Sequence, residues 1–374
     1  MKIAIVGTIN SSMVTFRGPL LKALVDAGYQ VFAFTMDYDR ESEQKVRELG
    51  ATPVRYELER TGTNPFRDLK SVYQLKRLFR QHSIDRVFSY FLKPVIYGSI
   101  AAGLARVPRC DAMLPGMGYY FTQGCVNDPW KKRIVSKILK YLLRSALKRN
   151  QQVVVYNDDD QKELVQLQLA RSSQIVRVNG TGIDLAAYPY SDAPTNPVTF
   201  LLAARLIGAK GIQEYLDAAN MVKSQYPKTR FVLLGETDSS ADGFSAERVA
   251  PHVEANVVEW PGKVSDIRPW LQGTSVYVLP SYREGVPRST QEALATGRPV
   301  ITTDTTGCRE TVIHGQNGFL VPARDSSALA ERMVWFLENT DAILSMGQAS
   351  RQLAEERFDV HKINESLIHQ LGLT

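Results

Sequence analysis

The chain has 374 residues, of which 44% are hydrophobic and 22% are charged. This balance is typical of a globular protein and excludes the disordered and fibrous classes, and the length suits two domains of ordinary size. The net charge of +6 allows nucleic acid, anionic lipid or phosphorylated ligands, so the position of the charges has to decide among them. No apolar run approaches the roughly 18 residues of a membrane-spanning helix, and the apolar N-terminus is too short for a signal peptide.

The three cysteines predict neither a disulfide nor a zinc site. Cys110, Cys125 and Cys308 are odd in number and widely spaced, and none belongs to a CxxC pair. We expect reduced thiols in a cytoplasmic protein.

The N-terminal half opens as a strand–helix–strand unit. A strand over Lys2–Val6 leads through the polar loop Gly7–Thr15 into a helix over Phe16–Ala27, and a second strand spans Tyr29–Thr35. This order predicts a parallel sheet with right-handed crossovers. The loop lacks the G-x-G-x-x-G fingerprint of dinucleotide-binding proteins, and a plain connection is an equally good interpretation of it.

The next elements continue the alternation of helix and strand. Helices are predicted over Arg40–Leu49 and Pro65–Gln81, and a strand over Asp85–Tyr90 leads into the turn Phe91–Pro94, which contains Lys93. Ligands of open α/β sheets bind beyond the carboxyl ends of the strands. Lys93 is therefore a candidate for contact with a phosphate or an acceptor, and an exposed loop lysine is the alternative.

Two glycines and three aromatic residues fall within the eight residues Leu114–Phe121. Glycines permit close backbone approach, and aromatic rings supply faces on which a sugar stacks. The segment is a candidate sugar-binding loop, with a core loop as the alternative.

The segment Trp130–Asn150 is the most informative about location. Apolar residues recur in it at helical spacing, and eight basic residues but no acidic one lie between Lys131 and Arg149. Such a helix fits an anionic membrane surface, where each basic residue contributes about 1 kcal/mol. Packing of the apolar stripe on the domain core is a compatible alternative. The candidate membrane residues are Lys131, Lys132, Arg133, Lys137, Lys140, Arg144 and Lys148.

Asn157 and the three aspartates that follow it precede a helix that runs to Leu169. Asp158 and Asp160 have the spacing of a metal-binding pair, but helix capping explains them better. Asn157 is a favourable N-cap, and acidic residues in a first turn complement the helix dipole. We expect no metal and no other cofactor.

The alternation restarts at Val198, which predicts a second domain. A strand over Val198–Ala203 is followed by a glycine-containing loop with Arg205 and Lys210, and then by a helix that runs to Tyr226. Two cations five residues apart at a strand end are suited to binding phosphate, the guanidinium bidentately and the ammonium as a point charge.

The rest of the chain is organised around the segment Pro280–Thr303, a loop and helix between two apolar runs. Pro287 favours a helix start and Gly297 a helix end. Glu284 falls on the loop at the mouth of this helix, and Glu292 lies about 7–8 Å along it. Because amides at a helix start bind anions, the arrangement suits a sugar nucleotide, with its phosphates on the amides and its hydroxyls on the two carboxylates.

The residues REG, P, S, QEA, A and GRPVI of this segment resemble the signature of the family 4 glycosyltransferases, which are retaining enzymes with the GT-B architecture. The resemblance implies that Glu284 faces the donor sugar and that Glu292 holds the ribose. It also implies that Arg205 and Lys210 bind the donor diphosphate.

Further contacts follow from the same resemblance. The other donor-binding residues that it implies are Gly7, Asn10, Ser11, Lys263, Val264, Gly285, Val286, Pro287, Arg288 and Ser289. The glycine–aromatic loop and the run SYFLKPVIYGS resemble a subgroup that builds bacterial glycans on lipid carriers. The implied acceptor-side residues are Gly116, Gly118, Tyr119 and Tyr120. Many relatives carry a histidine near the position of Lys93, whereas this chain has none in the run SYFLKPVIYGS. The resemblance therefore implies no histidine-assisted step for this chain.

We therefore expect an α/β protein of GT-B architecture with two Rossmann-like domains whose parallel sheets face a central cleft. Residues 1–190 with 358–374 form the expected acceptor domain, and residues 191–357 form the nucleotide-sugar domain. The expected activity is transfer of N-acetylhexosamine, GalNAc or GlcNAc, from a UDP-sugar to a polyprenyl-diphosphate-linked glycan at the inner face of the bacterial plasma membrane. Alternatives are a sugar-nucleotide epimerase or hydrolase and a non-catalytic membrane-docked scaffold. Nucleic acid is not an expected partner, because few stacking aromatics interleave the basic run.

Overall fold

A computed structural model describes residues 1–59, 65–117, 129–238 and 242–373, without the side chains of 65 and 129–133. The chain divides into two compact units. Described residues of 1–117, 129–181 and 360–373 form the first unit, and those of 182–359 form the second. The domain boundaries predicted from the sequence lie after residues 190 and 357, and in the structure the chain passes from one unit to the other after residues 181 and 359.

Within the described residues, the sheet of the first unit has seven parallel strands in the order β3-β2-β1-β4-β5-β6-β7. They are β1 (Lys2–Val6), β2 (Gln30–Thr35), β3 (Thr52–Arg55), β4 (Arg86–Tyr90), β5 (Arg109–Leu114), β6 (Val153–Val155) and β7 (Ile175–Arg177). Runs such as KIAIV in β1 and VVV in β6 are almost wholly buried, as strands covered on both faces require. The connections change direction between β1 and β4, which is the switch point of this sheet.

Helices cover both faces of that sheet. They are α1 (Asn10–Asp26), α2 (Arg40–Glu48), α3 (Pro65–Gln81), α4 (Leu92–Ala105), α5 (Pro129–Leu147) and α6 (Asp158–Gln166). The crossovers that contain α3, α4 and α5 run in one direction along the sheet, so right-handed connections place these three helices in one layer. Consistent with this, α4 packs against both α3 and α5.

Two helices of this unit begin earlier than the sequence predicted. α1 begins at Asn10 rather than at Phe16, because the N–H of Asn10 donates to Asp37 at 2.6 Å and its side-chain amide also bonds residues near α2. α4 begins at Leu92, inside the predicted turn, because Phe91 adopts a φ of 72° and reverses the chain in one residue.

Within its described residues, the second unit has a six-stranded parallel sheet in the order β10-β9-β8-β11-β12-β13. The strands are β8 (Thr199–Ala203), β9 (Arg230–Leu234), β10 (Glu259–Gly262), β11 (Val276–Leu279), β12 (Val300–Thr303) and β13 (Gly318–Val321). The helices are α7 (Ile212–Gln225), α8 (Ala246–Glu254), α9 (Arg268–Gln272), α10 (Arg288–Ala295), α11 (Ser326–Glu338) and α12 (Thr340–Arg357). Its switch point lies between β8 and β11.

The last helix, α13 (Val360–Gln370), packs against α1 in the first unit. A buried guanidinium fixes the end of the chain there. Arg86 of β4 donates to the carbonyl of Leu371 at 2.6 Å and to Asp111 of β5 at 2.7 Å.

Candidate functional site

The loops with the main candidate residues lie at the switch point of the six-stranded sheet. β8 and β11 are neighbours, and the chain leaves them in opposite directions along the sheet. The loops that follow such strands border a crevice at the carboxyl edge, where α/β proteins bind ligands. One loop carries Arg205 and Lys210, and the other carries Glu284.

Lys210 and Glu284 form an ion pair between these two loops. Nζ of Lys210 contacts Oε1 of Glu284, and their side chains are 22% and 14% exposed. The hydroxyl of Ser281 donates to the same oxygen at 2.8 Å. A cation suited to phosphate and a carboxylate suited to hydroxyl groups are therefore adjacent, and a sugar phosphate presents both kinds of partner.

The backbone holds the two loops against each other. The N–H of Tyr282 donates to the carbonyl of Ala209 at 2.9 Å. Gly211 has a φ of 71°, and a Cβ there would lie 2.2 Å from the carbonyl oxygen of Pro280. Only glycine permits both this conformation and this approach.

A third loop fixes the backbone of Glu284. Its N–H donates to the carbonyl of Thr306 at 2.9 Å. Gly307 has a φ of 76°, and a Cβ there would lie 2.3 Å from the carbonyl oxygen of Glu284. The Glu284 side chain therefore projects from a backbone that is constrained on both sides.

Arg205 is directed away from this ion pair. Its guanidinium pairs with Asp238 at 3.0 Å and is 54% exposed. The structure thus brings Lys210 to Glu284 but gives Arg205 a different acidic partner. Its assignment to the donor diphosphate remains a prediction.

Glu292 lies on α10 and is 13% exposed. Its Oε1 accepts hydrogen bonds from Nε of Arg288 at 3.0 Å and from the hydroxyl of Tyr188 at 3.0 Å. Burial raises the pKa of Glu292, and the charge of Arg288 and the two hydrogen bonds offset that rise only in part. The carboxylate is held in one position before any ligand binds.

The sequence analysis did not identify Tyr188. The residue stands in the connection before β8, 104 positions from its partner, and no local pattern marks it. Burial and the neighbouring carboxylate raise the pKa of Tyr188, so its hydroxyl stays protonated and acts as a donor. The sequence analysis did predict Arg288 as a donor-binding residue, and its guanidinium donates to both Glu292 and the carbonyl of Gly182.

The remaining candidates of the second unit lie on two loops. Lys263 follows β10, is exposed and pairs with Glu236 at 3.1 Å, and Val264 beside it is half-buried. On the loop before α10, Gly285 is half-buried, and Ser289 is half-buried in the first turn of the helix itself. Val286 and Pro287 are buried, and Pro287 is the N-cap of the helix.

The first loop of the chain uses its polar groups within the protein. The N–H of Gly7 donates to Phe34, and its carbonyl accepts from the hydroxyl of Tyr56. The side-chain amide of Asn10 donates to the carbonyl of Asp37 at 3.1 Å. Ser11 is exposed in the first turn of α1. Of the three, Ser11 is the residue whose side chain faces solvent.

Lys93 is a helix residue rather than an exposed loop lysine. It lies in the first turn of α4, and its Nζ donates to the carbonyl of Glu59 at 2.6 Å and to Asp68 at 3.2 Å. Its side chain is 15% exposed. Contact with a phosphate or an acceptor remains a prediction.

The candidate acceptor loop is described only at its start. Gly116 follows β5 and is half-buried. Gly118, Tyr119 and Tyr120 lie outside the described residues, as does Cys125, and their predicted roles remain predictions.

The apolar stripe expected on α5 is divided between two faces. Leu143 and Leu147 are fully buried in the core, whereas Ile134 and Ile138 are 50% and 54% exposed and Tyr141 is 72% exposed. The two isoleucines and the tyrosine therefore accompany basic residues on the outer face.

The basic residues of α5 have different surroundings. Lys137 and Lys148 are exposed, and Lys140 is half-buried. Arg144 donates to the carbonyls of Leu167 and Gln168 at 2.8 and 3.0 Å. The side chains of Lys131, Lys132 and Arg133 lie outside the described residues.

The acidic run forms the first turn of α6, and Asn157 directly before it is the N-cap of that helix. The side-chain oxygen of Asn157 accepts from the N–H of Asp160 at 2.7 Å, and Asp158 pairs with Arg177 at 2.8 Å. Among the described side chains, no group of three or more histidines, cysteines and acids is placed to hold a metal ion. No helix in the described ranges is both long and apolar enough to cross a membrane.

Two family models match the chain. A model described as a glycosyl transferase 4-like domain matches residues 13–180, and one described as glycosyl transferases group 1 matches residues 197–339, which include Lys210, Glu284 and Glu292. The chain is a glycosyltransferase.

Curated relatives and a solved structure resemble this glycosyltransferase over much of its length. It is 28% identical over 383 residues to the N,N'-diacetylbacillosaminyl-diphospho-undecaprenol alpha-1,3-N-acetylgalactosaminyltransferase of Campylobacter jejuni, covering 99% of this chain and 96% of that protein. It is 25% identical over 283 residues to the UDP-Gal:alpha-D-GlcNAc-diphosphoundecaprenol alpha-1,3-galactosyltransferase of Escherichia coli, covering 72% and 70%. Anabaena HepE in complex with UDP and glucose superposes with a TM-score of 0.78 and 19% identity over 100% of both chains. The expected GT-B fold is thereby confirmed.

Proposed function

We propose that this glycosyltransferase is a retaining hexosyltransferase of family 4 that moves an N-acetylhexosamine, GalNAc or GlcNAc, from a UDP-sugar to a polyprenyl-diphosphate-linked glycan. It would act in cell-surface polysaccharide or glycoprotein-glycan assembly. The contact between Lys210 and Glu284 at the switch point is the observation that carries the proposal. The names of the relatives from C. jejuni and E. coli support the choice of acceptor, and the first also supports the choice of sugar.

Each charged group of the site has a distinct part in this proposal. Lys210 and Arg205, with the amides at the start of α10, bind the diphosphate and stabilise the charge that grows on it as UDP departs. Glu284 accepts a hydrogen bond from a hydroxyl of the transferred sugar, and Glu292 accepts from the ribose. No metal takes part, because cationic side chains and helix amides supply the charge that a metal would otherwise provide.

Membrane association completes the proposal. The exposed face of α5 combines Ile138 and Tyr141 with Lys137 and Lys148, a composition that binds anionic lipid. The enzyme would thus be peripheral on the cytoplasmic face of the bacterial plasma membrane, where a polyprenyl-linked acceptor is embedded.

The test is UDP release by the purified protein with a panel of UDP-sugars, each with and without a polyprenyl-diphosphate-linked acceptor. Acceptor-dependent release with one N-acetylhexosamine donor is expected, and the product should keep the α configuration of the donor by NMR. Activity should survive a chelator. Release without an acceptor would instead indicate a hydrolase, and epimer formation an epimerase. UDP binding without any turnover would favour a scaffold.

A further inference from the structure

A second helix of the first unit has an exposed apolar face that the proposed function leaves unused. On α3, Phe66, Leu69 and Tyr73 are 83%, 67% and 67% exposed. Spacings of three and four residues place them on one side of the helix, within about 10 Å along its axis. Leu75 and Phe79, on the opposite side, are buried in the core.

Basic residues share this exposed side. Lys70, Arg77 and Arg80 are exposed, and at about 100° per residue they fall within the same arc as the apolar side chains. The single acidic residue of α3, Asp68, is 16% exposed and pairs with Lys93. Lys70 contacts Glu57 from outside the helix at 2.7 Å. The exposed arc of α3 is thus apolar and cationic, with no acid of its own.

The exposed side of α5 has the same composition. Ile134, Ile138 and Tyr141 are spaced by four and three residues and share their side with exposed lysines. Both helices pack on α4. Among the residues that the structure describes, the four most exposed large hydrophobic side chains all belong to α3 or α5. They are Phe66, Tyr141, Leu69 and Tyr73.

We propose that α3 is a second lipid-contacting helix, whose exposed face enters the headgroup region of an anionic bilayer together with that of α5. Apolar and aromatic side chains flanked by lysine and arginine bind such an interface through buried apolar area and attraction to lipid phosphates. The inference deepens the proposed function and rests on it, since it names the surface by which the enzyme reaches a lipid-linked acceptor.

Charge favours a lipid surface over a second copy of the chain. A two-fold symmetric contact through this face would place Lys70, Arg77 and Arg80 close to the same residues of the other copy, because such interfaces use one patch twice. Like charges at short range repel. An anionic bilayer instead attracts Arg77 and Arg80, and also Lys70 beside Glu57, while it accepts the apolar side chains.

The experiment is co-sedimentation of the full chain with vesicles of phosphatidylcholine that contain phosphatidylglycerol. The α3 variant carries Phe66→Gln, Leu69→Gln and Tyr73→Gln. A matched control carries Met221→Gln, Val253→Gln and Ile313→Gln, at exposed apolar positions of the second unit. The α3 variant should partition about tenfold less onto these vesicles, and the control should partition like the wild type.

Two results would overturn the inference. One is undiminished vesicle binding by an α3 variant that melts at the wild-type temperature. The other is a dimer of the wild-type chain that the α3 substitutions dissociate while vesicle binding stays unchanged.

The inference and the proposed function fail in different ways. With a water-soluble, short-chain acceptor, the α3 variant should release UDP at the wild-type rate, because its changes lie on the lipid-facing surface. Absence of UDP release from the wild type as well would count against the proposed transfer reaction, whereas the vesicle comparison would still decide the role of α3.

Discussion

The hydroxyl of Tyr188 donates a hydrogen bond to Oε1 of Glu292 at 3.0 Å and joins residues 104 positions apart. The same oxygen accepts from Arg288. A carboxylate with two donors and 13% exposure has little freedom to rotate. Tyr188 is therefore a positioning residue for the group that we assign to the ribose.

Tyr188→Phe should raise the KM for the UDP-sugar about tenfold with a smaller change in kcat. Hydrogen bonds to charged groups contribute about 1.5–3 kcal/mol, and about 1.4 kcal/mol is tenfold in affinity. Steady-state kinetics with varied donor would measure the effect. Tyr190→Phe is the matched control, since that hydroxyl bonds the exposed Asp192. An unchanged donor KM in Tyr188→Phe would rule out the positioning role.

As the pH decreases, the affinity for the UDP-sugar should begin to fall at a higher pH than it would if Glu292 were an exposed glutamate. Burial raises the pKa of Glu292, so its carboxylate takes up a proton above the usual value of about 4.3. The hydrogen bond from Tyr188 lowers this pKa, and Tyr188→Phe should therefore move the loss of affinity to still higher pH. Because the folded-state pKa of Glu292 is raised above its unfolded-state value, Glu292 contributes to the free energy of unfolding below the unfolded-state pKa. That contribution is lost as the pH rises through the folded-state pKa. Calorimetric titration of UDP across pH would test the shift, and movement to lower pH would contradict it.

Substitution of Glu284 and substitution of Lys210 should have different effects on kcat and on UDP affinity. Glu284→Ala should lower kcat by about 10²–10³ while UDP affinity falls little, because the carboxylate is assigned to the sugar and its loss frees Lys210 for phosphate. Lys210→Ala should lower both UDP affinity and kcat. The double variant should be less impaired than the sum of the two changes, since the side chains are in contact. Equal losses of turnover and UDP affinity in Glu284→Ala would contradict its assignment.

Local patterns in the sequence predicted most elements of the fold. The continuous apolar runs of β1, β8 and β11 and the glycine at the end of α10 are read from neighbouring residues, and the structure has each of them where expected. The predicted start of α1 was wrong because hydrogen bonds from Asn10 to Asp37, which is distant in the sequence, determine where the helix begins. The periodicity of the first helical turn contains no sign of these bonds.

The site was only partly predictable for the same reason. Motif spacing identified Glu284 and Lys210, but their contact depends on β8 and β11 being neighbours in the sheet. Tyr188 has no motif, and only the folded chain brings it to Glu292. The exposed face of α3 was also missed, since apolar residues at helical spacing predict a core face unless burial is known.

Asn157→Ala should destabilise the first unit by about 1 kcal/mol, the usual cost of losing an N-cap hydrogen bond. The substitution removes the capping bond from the N–H of Asp160 to the Asn157 side-chain oxygen, and also the bond from the Asn157 side-chain amide to the Asp160 carboxylate at 2.9 Å. Asn339→Ala is the comparison variant, because Asn339 is the N-cap of α12 without a side-chain bond to that helix, and its side-chain amide instead donates to the carbonyl of Trp335 in α11 at 2.8 Å. Thermal unfolding measures both. If added Mn²⁺ or Mg²⁺ raised the melting temperature of the wild type but not of Asp158→Asn, metal binding would replace capping as the interpretation.

Arg86→Met should release the C-terminal helix α13 and cost about 3–5 kcal/mol, because it leaves a buried carboxylate without its cation. Arg86 and Asp111 are 1% and 0% exposed. Burial raises the pKa of Asp111 and lowers that of Arg86, against their mutual attraction.

Hydrogen exchange is the appropriate measurement for this pair, since a chain with two units need not unfold in one step. Amides of α13 should exchange faster in Arg86→Met, and Asp111→Leu in the same chain should restore much of their protection. Arg230→Met breaks a half-exposed pair with Glu259 in the second unit and should cost less than about 1 kcal/mol. Unchanged exchange in α13 of Arg86→Met would mean that the packing of α13 on α1 is sufficient to hold it, without the bond from Arg86 to Leu371.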